Sequence, residues 1–308
     1  MITYSIGLKN KFRGITVREG MLYEGPAGWA EWSPFLDYDD ATCVSWLRAA
    51  REAAEDGWPA RVRDRVPVNC TVPAIGPERA AEIVRASGCS TAKVKVAEPG
   101  QTLADDLERV EAVRDAIGSG QVRIDANGLW SVDQAVQNLK QLQRFDLEYV
   151  EQPCATVEEL ADVRRRTDVP VAADESIRRA EDPLRVKKLD AADIAVLKVQ
   201  PIGGVRACLE IAEQIGLPVV VSSALETSVG IAAGVALAAA LPELPYACGL
   251  ATVSMFTREV VAEPLLPTNG FLPVRNVVPD PELLEAARAD ADRTKVWEER
   301  LSRVRSAG

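Results

Sequence analysis

The chain contains no histidine. Histidine is the side chain whose ordinary pKa lies closest to neutrality and a frequent metal ligand. Its absence excludes Ser-His-Asp and Cys-His catalysis, a His general base and His-ligated zinc. Acid–base chemistry must then run on carboxylates, lysine, tyrosine or cysteine. The six cysteines (Cys43, Cys70, Cys89, Cys154, Cys208 and Cys248) form no CxxC pair and no metal-type spacing. They are expected as reduced, mostly buried thiols in a cytoplasmic protein. Basic charge is in deficit: 36 Lys and Arg face 46 Asp and Glu, a net charge of −10. That argues against nucleic acid or an anionic membrane as partner. It leaves a small anionic substrate open, because local charge in a pocket can oppose the global sign. Long apolar runs are also missing. The longest, "GIAAGVALAAAL" from Gly230 to Leu241, is too short to cross a bilayer and reads as a buried helix. The start "MITYSIGLKNKF" lacks the basic-then-apolar pattern of a signal peptide.

What is present is a soluble globular composition, 47% apolar and 27% charged. From about Val66 one grammar repeats. A short β-branched run ends in polar residues, and a helix-period segment follows. The strand candidates are "VPVNCTVP", "TAKVKV", "QVRIDAN", "LEYVEQP", "VPVAADES", "DIAVLKVQ", "LPVVVSSALE" and "YACGLATV". Thr156 and Ser131 read as helix N-caps, and Gly88, Gly118 and Gly216 as helix stops. Eight such units predict an α/β fold, a (β/α) TIM-type barrel with parallel strands. An open doubly wound sheet would carry a GxGxxG turn after its first strand, and "VNCTVPAIGPERA" has none. Residues 1–62 read differently, as antiparallel strands and one helix. After the eighth unit, "TREVVAEPLLPTNGFLPV" resumes strand-like alternation, and a last charged helix starts near Pro281. The expected organisation is a catalytic barrel over 63–255. A small α+β capping domain over 1–62 is completed by about 256–308.

Barrel active sites lie at the C-terminal ends of the strands. There the second strand offers Lys93 and Lys95, the third Asp125, the fourth Glu151, the fifth Asp174 and the sixth Lys198. Taken singly, each acid could be a helix cap and each lysine a snorkelling surface cation. Taken together, three acids on adjacent strands repel strongly unless a cation sits among them. All-oxygen ligation without His or Cys suits a hard ion, Mg²⁺ first and Mn²⁺ second. Such an ion, holding a substrate carboxylate, would acidify the neighbouring C–H and stabilise the enediolate. A lysine can take that proton only when neutral, and a nearby dication and second ammonium disfavour its charged form. Lys95, nearer the strand end, is the expected base, and Lys93 its electrostatic partner.

These motifs resemble the enolase superfamily, in its muconate-lactonising subgroup. They are Lys93-x-Lys95, "DAN" at Asp125, "EQP" at Glu151, "DES" at Asp174, and Lys198 followed by Gly203-Gly204. "GWAEWSPF" is similar to the G-x-x-E-x-x-P stretch of that superfamily's cap. Within the subgroup the chain is most similar to the o-succinylbenzoate synthase family. The cap is short, and "CGLATVSM" lacks the Asp-x-Asp of dipeptide epimerases. The resemblance implies a Mg-dependent dehydratase of menaquinone biosynthesis. Lys95 would abstract the proton α to a carboxylate, and Lys198 would stay protonated on the opposite face. Ser222 and Ser223 are candidates for the succinyl carboxylate, Gly249 for leaving room, and Arg123 for supporting the metal or the substrate. Arg123 could equally be a barrel-interior ion pair. The hairpin "KNKFRGITVREG" could close over the substrate. An N-succinylamino acid racemase remains an alternative, because lysines on opposite faces also suit two-base racemisation. A Schiff-base lyase and a catalytically silent binding module are the remaining rivals.

Overall fold

The structure, a computed structural model, describes residues 1–178 and 183–308. Seven parallel strands lie side by side in sequence order: Cys70–Val72, Thr91–Lys95, Gln121–Asp125, Leu147–Glu151, Val171–Ala173, Ile194–Lys198 and Val219–Ser222. Helices separate them and cover the outside. The eighth strand is reduced to Cys248 and Gly249. Gly249 bridges Ser222, and Cys248 bridges Val68. Backbone hydrogen bonds complete this closure: Cys248 N to Pro67 O at 2.7 Å, Asn69 N to Cys248 O at 3.0 Å and Gly249 N to Val221 O at 2.8 Å. The sheet therefore meets itself as a TIM-type barrel, as expected.

Local sequence explains the elements. Thr102, Ser131 and Thr156 each form a capping box with the residue three positions on, which satisfies two free amide donors at each helix start. Gly88 and Gly216 end their helices at φ +65° and +61°, a conformation that costs glycine no Cβ clash. The alanine-rich helix Ser228–Ala240 is buried along nearly its whole length.

Three expectations need correction. The predicted first strand is two strands, Arg65–Pro67 and Cys70–Val72. Pro67 has no amide hydrogen for the ladder. "TREVVAEPLLPTNGFLPV" is not an extended strand region. Only Phe271–Pro273 is a strand, and it pairs with Arg65–Pro67. Pro264 and Pro267 interrupt the rest. The last helix is two, Pro281–Ala286 and Ala291–Ala307, with Asp290 capping the second. Between them Ala289 N donates to Thr3 O, and Ser5 N to Ala287 O, so the chain is tied to the first strand there.

The N-terminal strands Ile2–Phe12, Ile15–Gly25 and Gly28–Trp32 form an antiparallel sheet. Trp32 packs edge-on against Trp297 of the last helix. A buried polar seam joins this sheet to the barrel. Glu31 accepts from Tyr4 Oη and Ser33 Oγ, and from Thr227 N and Gly230 N at the start of helix Ser228–Ala240. Burial, and next the Glu31 charge, push the nearby Glu226 carboxyl from 4.5 up to about 7. Between those values the folded chain keeps a proton that the unfolded chain has lost. That contribution to stability is full below pH 4.5 and fades as pH rises towards 7. Glu226→Gln should remove this slope. From pH 5 to pH 8 its urea-unfolding stability should fall about 3 kcal/mol less than the wild type's. Equal slopes for the two proteins would refute this.

Candidate active site

The parallel register aligns Lys95 with Asp125, and Asp125 with Glu151. Side chains alternate across a strand, so Lys93 and Lys95 share the barrel interior while Val94 is fully buried on the other face. Asp125, Glu151 and Asp174 are at most 1% exposed. Lys93 Nζ lies 3.1 Å from Asp125 Oδ2 and 2.8 Å from Glu151 Oε1. Lys95 Nζ lies 2.5 Å from Asp125 Oδ2 and 2.7 Å from Asn127 Oδ1. On the far side Lys198 Nζ lies 2.6 Å from Asp174 Oδ2, and Arg178 Nε 2.9 Å from Asp174 Oδ1.

Burial and charge set the protonation of this cluster. Burial alone would raise Asp125, but Lys95 and then Lys93 hold it well below the usual carboxylate range. Burial likewise opposes ionisation of Asp174, and Arg178 and Lys198 outweigh it. Glu151 goes the other way. Burial, followed by the Asp125 charge, pushes it up to about 7, and Asp174 adds to the rise. Burial pulls Lys93 down, yet Glu151 and Asp125 hold it well above its ordinary value. Lys93 is thus a fixed cation.

Among the described residues, no three acidic or cysteine side chains converge as they stand on a ready-made metal position. The reason is visible in the contacts. Ammonium and guanidinium groups occupy the carboxylate oxygens, so positive charge already stands where a cation would. Lys93 touches both Asp125 and Glu151, and Asp174 is close enough to raise Glu151. Three buried all-oxygen donors on adjacent strand ends fit a hard dication once these ammonium groups give way.

Above the cluster lies a cavity of about 230 Å³. Lys93, Lys95, Lys198, Ser222, Ser223 and Gly249 all line it. Asn10, Lys11, Phe12 and Arg13 at the tip of the first hairpin overhang it. Ser223 Oγ shares a 2.8 Å hydrogen bond with Thr252 Oγ1. A Cβ on Gly249 would come within 2.5 Å of Ser222 Oγ. Gly249→Ala should therefore push Ser222 from its place and cost about 1–3 kcal/mol. A denaturant midpoint equal to the wild type's would show that the wall yields freely.

Arg123 is not brought to this cavity. It is fully buried deeper in the barrel, with Nε 2.5 Å from Glu148 Oε2 and Nη1 2.7 Å from Ala247 O. It shares its strand face with Asp125 but sits two residues lower, roughly 7 Å below the mouth. Arg178 is the residue the sequence reading missed. It links Asp174 to Tyr38 Oη, at 2.9 Å, in the N-terminal region. Its spacing of four from Asp174, at the start of the short helix Glu175–Arg178, was the available signal.

Residues 77–280 match the enolase C-terminal domain-like family, and residues 3–54 the enolase N-terminal domain-like family. An o-succinylbenzoate synthase of Thermobifida fusca is 64% identical over 305 residues, covering 99% of this chain and 95% of that protein. The chain belongs to the o-succinylbenzoate synthase family of the enolase superfamily. It is accordingly an enzyme of the lyase class. Distant solved structures agree on the fold alone. A muconate lactonizing enzyme of Pseudomonas fluorescens, complexed with muconolactone, superposes with a TM-score of 0.80 at 21% identity, covering 94% of this chain and 97% of that one. A dipeptide epimerase of Enterococcus faecalis, complexed with Mg and a dipeptide, gives 0.76 at 22% identity, covering 90% and 96%. Among the described residues no helix is long and apolar enough to cross a membrane.

Proposed function

We propose that this enzyme converts 2-succinyl-6-hydroxy-2,4-cyclohexadiene-1-carboxylate to o-succinylbenzoate and water, a step of menaquinone biosynthesis in the cytoplasm. The full-length identity to the Thermobifida enzyme carries the reading. Lys95 and Lys198 on opposite walls of one cavity supply the chemistry. Asp125, Glu151 and Asp174 would hold Mg²⁺, with Mn²⁺ as a substitute. Bound there, the ion supplies fixed positive charge against the negative charge that develops on the substrate carboxylate.

The protein's own residues do the rest. Lys95, neutral at the moment of transfer, takes the proton α to the carboxylate. It then protonates the departing hydroxyl. One C–H and one C–O bond break, one ring C=C forms, and water leaves. The product ring is aromatic, so the elimination is strongly downhill. Lys198 stays protonated and faces the developing anion from the opposite side. Lys93 keeps its charge beside Asp125 and Glu151. Ser222 and Ser223 meet the succinyl carboxylate, and Gly249 leaves space for the chain. In this reading residues 63–255 form the catalytic barrel. Residues 1–62, with about 256–308, form the cap whose hairpin overhangs the substrate.

The test is the absorbance change on the cyclohexadiene substrate, run beside assays with N-succinyl amino acids. Turnover of the first supports the proposal. Turnover of the second alone would make the chain a racemase and overturn it.

A further inference from the structure

The cavity wall at the seventh strand runs from Ser222 to Leu225. Little regular structure supports it. The strand ends at Ser222, and the next helix begins at Ser228. Leu225 stands at φ +63°, a conformation that a branched side chain disfavours and that neighbours must enforce. Two buried side chains that the proposed chemistry does not use, an arginine and a glutamic acid, supply that enforcement.

Arg18, on the second strand of the N-terminal sheet, is 2% exposed. Its Nε donates to Leu225 O at 2.8 Å and its Nη2 to Ala224 O at 3.3 Å. The rest of the fork stays at home. Nη1 donates to Glu19 O at 2.8 Å, and Nη2 to Ser33 O and Ser33 Oγ. The guanidinium lies 4.4 Å from the ring centre of Phe35, which also lines the cavity. Glu226, 4% exposed, grips the same stretch from the barrel side. Its Oε2 accepts from Ala224 N at 2.7 Å, and its Oε1 from Gln200 Nε2 at 3.4 Å. Gln200 Oε1 in turn accepts from Ser33 N at 3.1 Å. The carbonyl of Ala224 is thus held by a guanidinium of the N-terminal sheet and its amide by a carboxylate of the barrel. With that amide consumed, the hydroxyls of Ser222 and Ser223 are among the groups this wall offers a ligand.

We propose that Arg18 and Glu226 are positioning residues that fix the Ser222–Leu225 wall, so that docking of the N-terminal sheet sets how the substrate's succinyl carboxylate is held. The inference rests on the reading that Ser222 and Ser223 meet that carboxylate. A rigid bidentate fork is what Arg18 contributes, and lysine cannot reproduce it. An acceptor oxygen at the right place is what Glu226 contributes, and glutamine can reproduce it.

The test uses the full chain carrying Arg18→Met, Arg18→Lys, Glu226→Ala or Glu226→Gln. Hydrogen–deuterium exchange over residues 222–227 reads the wall without any substrate. Glu226→Ala and Arg18→Met should exchange at least tenfold faster there and Arg18→Lys at least threefold faster. Glu226→Gln should match the wild type. In steady-state assays the fast-exchanging variants should raise KM at least tenfold while kcat stays within threefold, the pattern of lost binding rather than lost chemistry. Unchanged exchange overturns the inference, and so does Glu226→Gln behaving like Glu226→Ala. Should the alanine and methionine variants fail to fold, the contrast between Arg18→Lys and Glu226→Gln decides alone. Failure of the substrate reading looks different: the wild type would not turn over the cyclohexadiene, whatever the exchange rates.

Discussion

Lys95→Ala should lower kcat by roughly 10³- to 10⁴-fold while leaving the protein folded, the range expected when a general base is removed. The geometry explains why the loss should be so large. Lys95 Nζ lies at the cavity edge of the second strand, 2.5 Å from Asp125. No histidine exists to take over the proton. Lys95→Arg sharpens the experiment. Arginine keeps the charge beside Asp125 but does not deprotonate at any working pH. A purely electrostatic role for Lys95 would leave Lys95→Arg substantially active. A base role leaves it as inactive as the alanine variant. Circular dichroism and thermal unfolding would confirm that both variants keep the fold.

The second large effect concerns stability. Lys93 is buried between Asp125 and Glu151 and pairs with both. Lys93→Met leaves buried Glu151 without its ammonium partner, facing an Asp125 that keeps only Lys95. Breaking a buried ion pair by removing one partner costs about 3–5 kcal/mol. The cost should fall in Mg²⁺, because a dication bound by the two acids restores the missing charge and stabilises the folded state by mass action. Thermal unfolding of wild type and Lys93→Met, each with EDTA and with excess Mg²⁺, checks both parts. The variant should lose many degrees in EDTA and recover more in Mg²⁺ than the wild type gains. A variant as stable as the wild type in EDTA would mean that Lys93 is not what holds the two acids together.

Much of this site was legible in the chain because its rules are local. A period of two places Lys93 and Lys95 on one face. Barrel topology sends the last residues of successive strands, Asp125, Glu151, Asp174 and Lys198, to one rim. The same parity rule left Arg123 open between the site and a barrel-interior ion pair, the second of which it forms with Glu148, because parity gives the face of a strand but not the depth. Lys93, also two residues below its strand's end, still reaches the acids on its long stem, whereas Arg123 is tied to Glu148 and Ala247. The eighth strand was legible as a position but not as a length. Its pairing depends on Ser222 and Val68, each far away in sequence. Arg18 and Glu226 were invisible for the same reason. Arg18 meets Leu225 across 207 positions, and no local pattern announces that. The prolines after Val260 were misjudged, since alternation suggested strands where missing amide hydrogens forbid most of a ladder.

The central claim is that Asp125, Glu151 and Asp174 jointly hold one hard dication. Calorimetric titration of Mg²⁺ into chelator-stripped protein tests it most directly. The account predicts a single saturable site in the wild type that disappears in each of Asp125→Asn, Glu151→Gln and Asp174→Asn. A flat titration of the wild type, with undiminished turnover in EDTA, would contradict it.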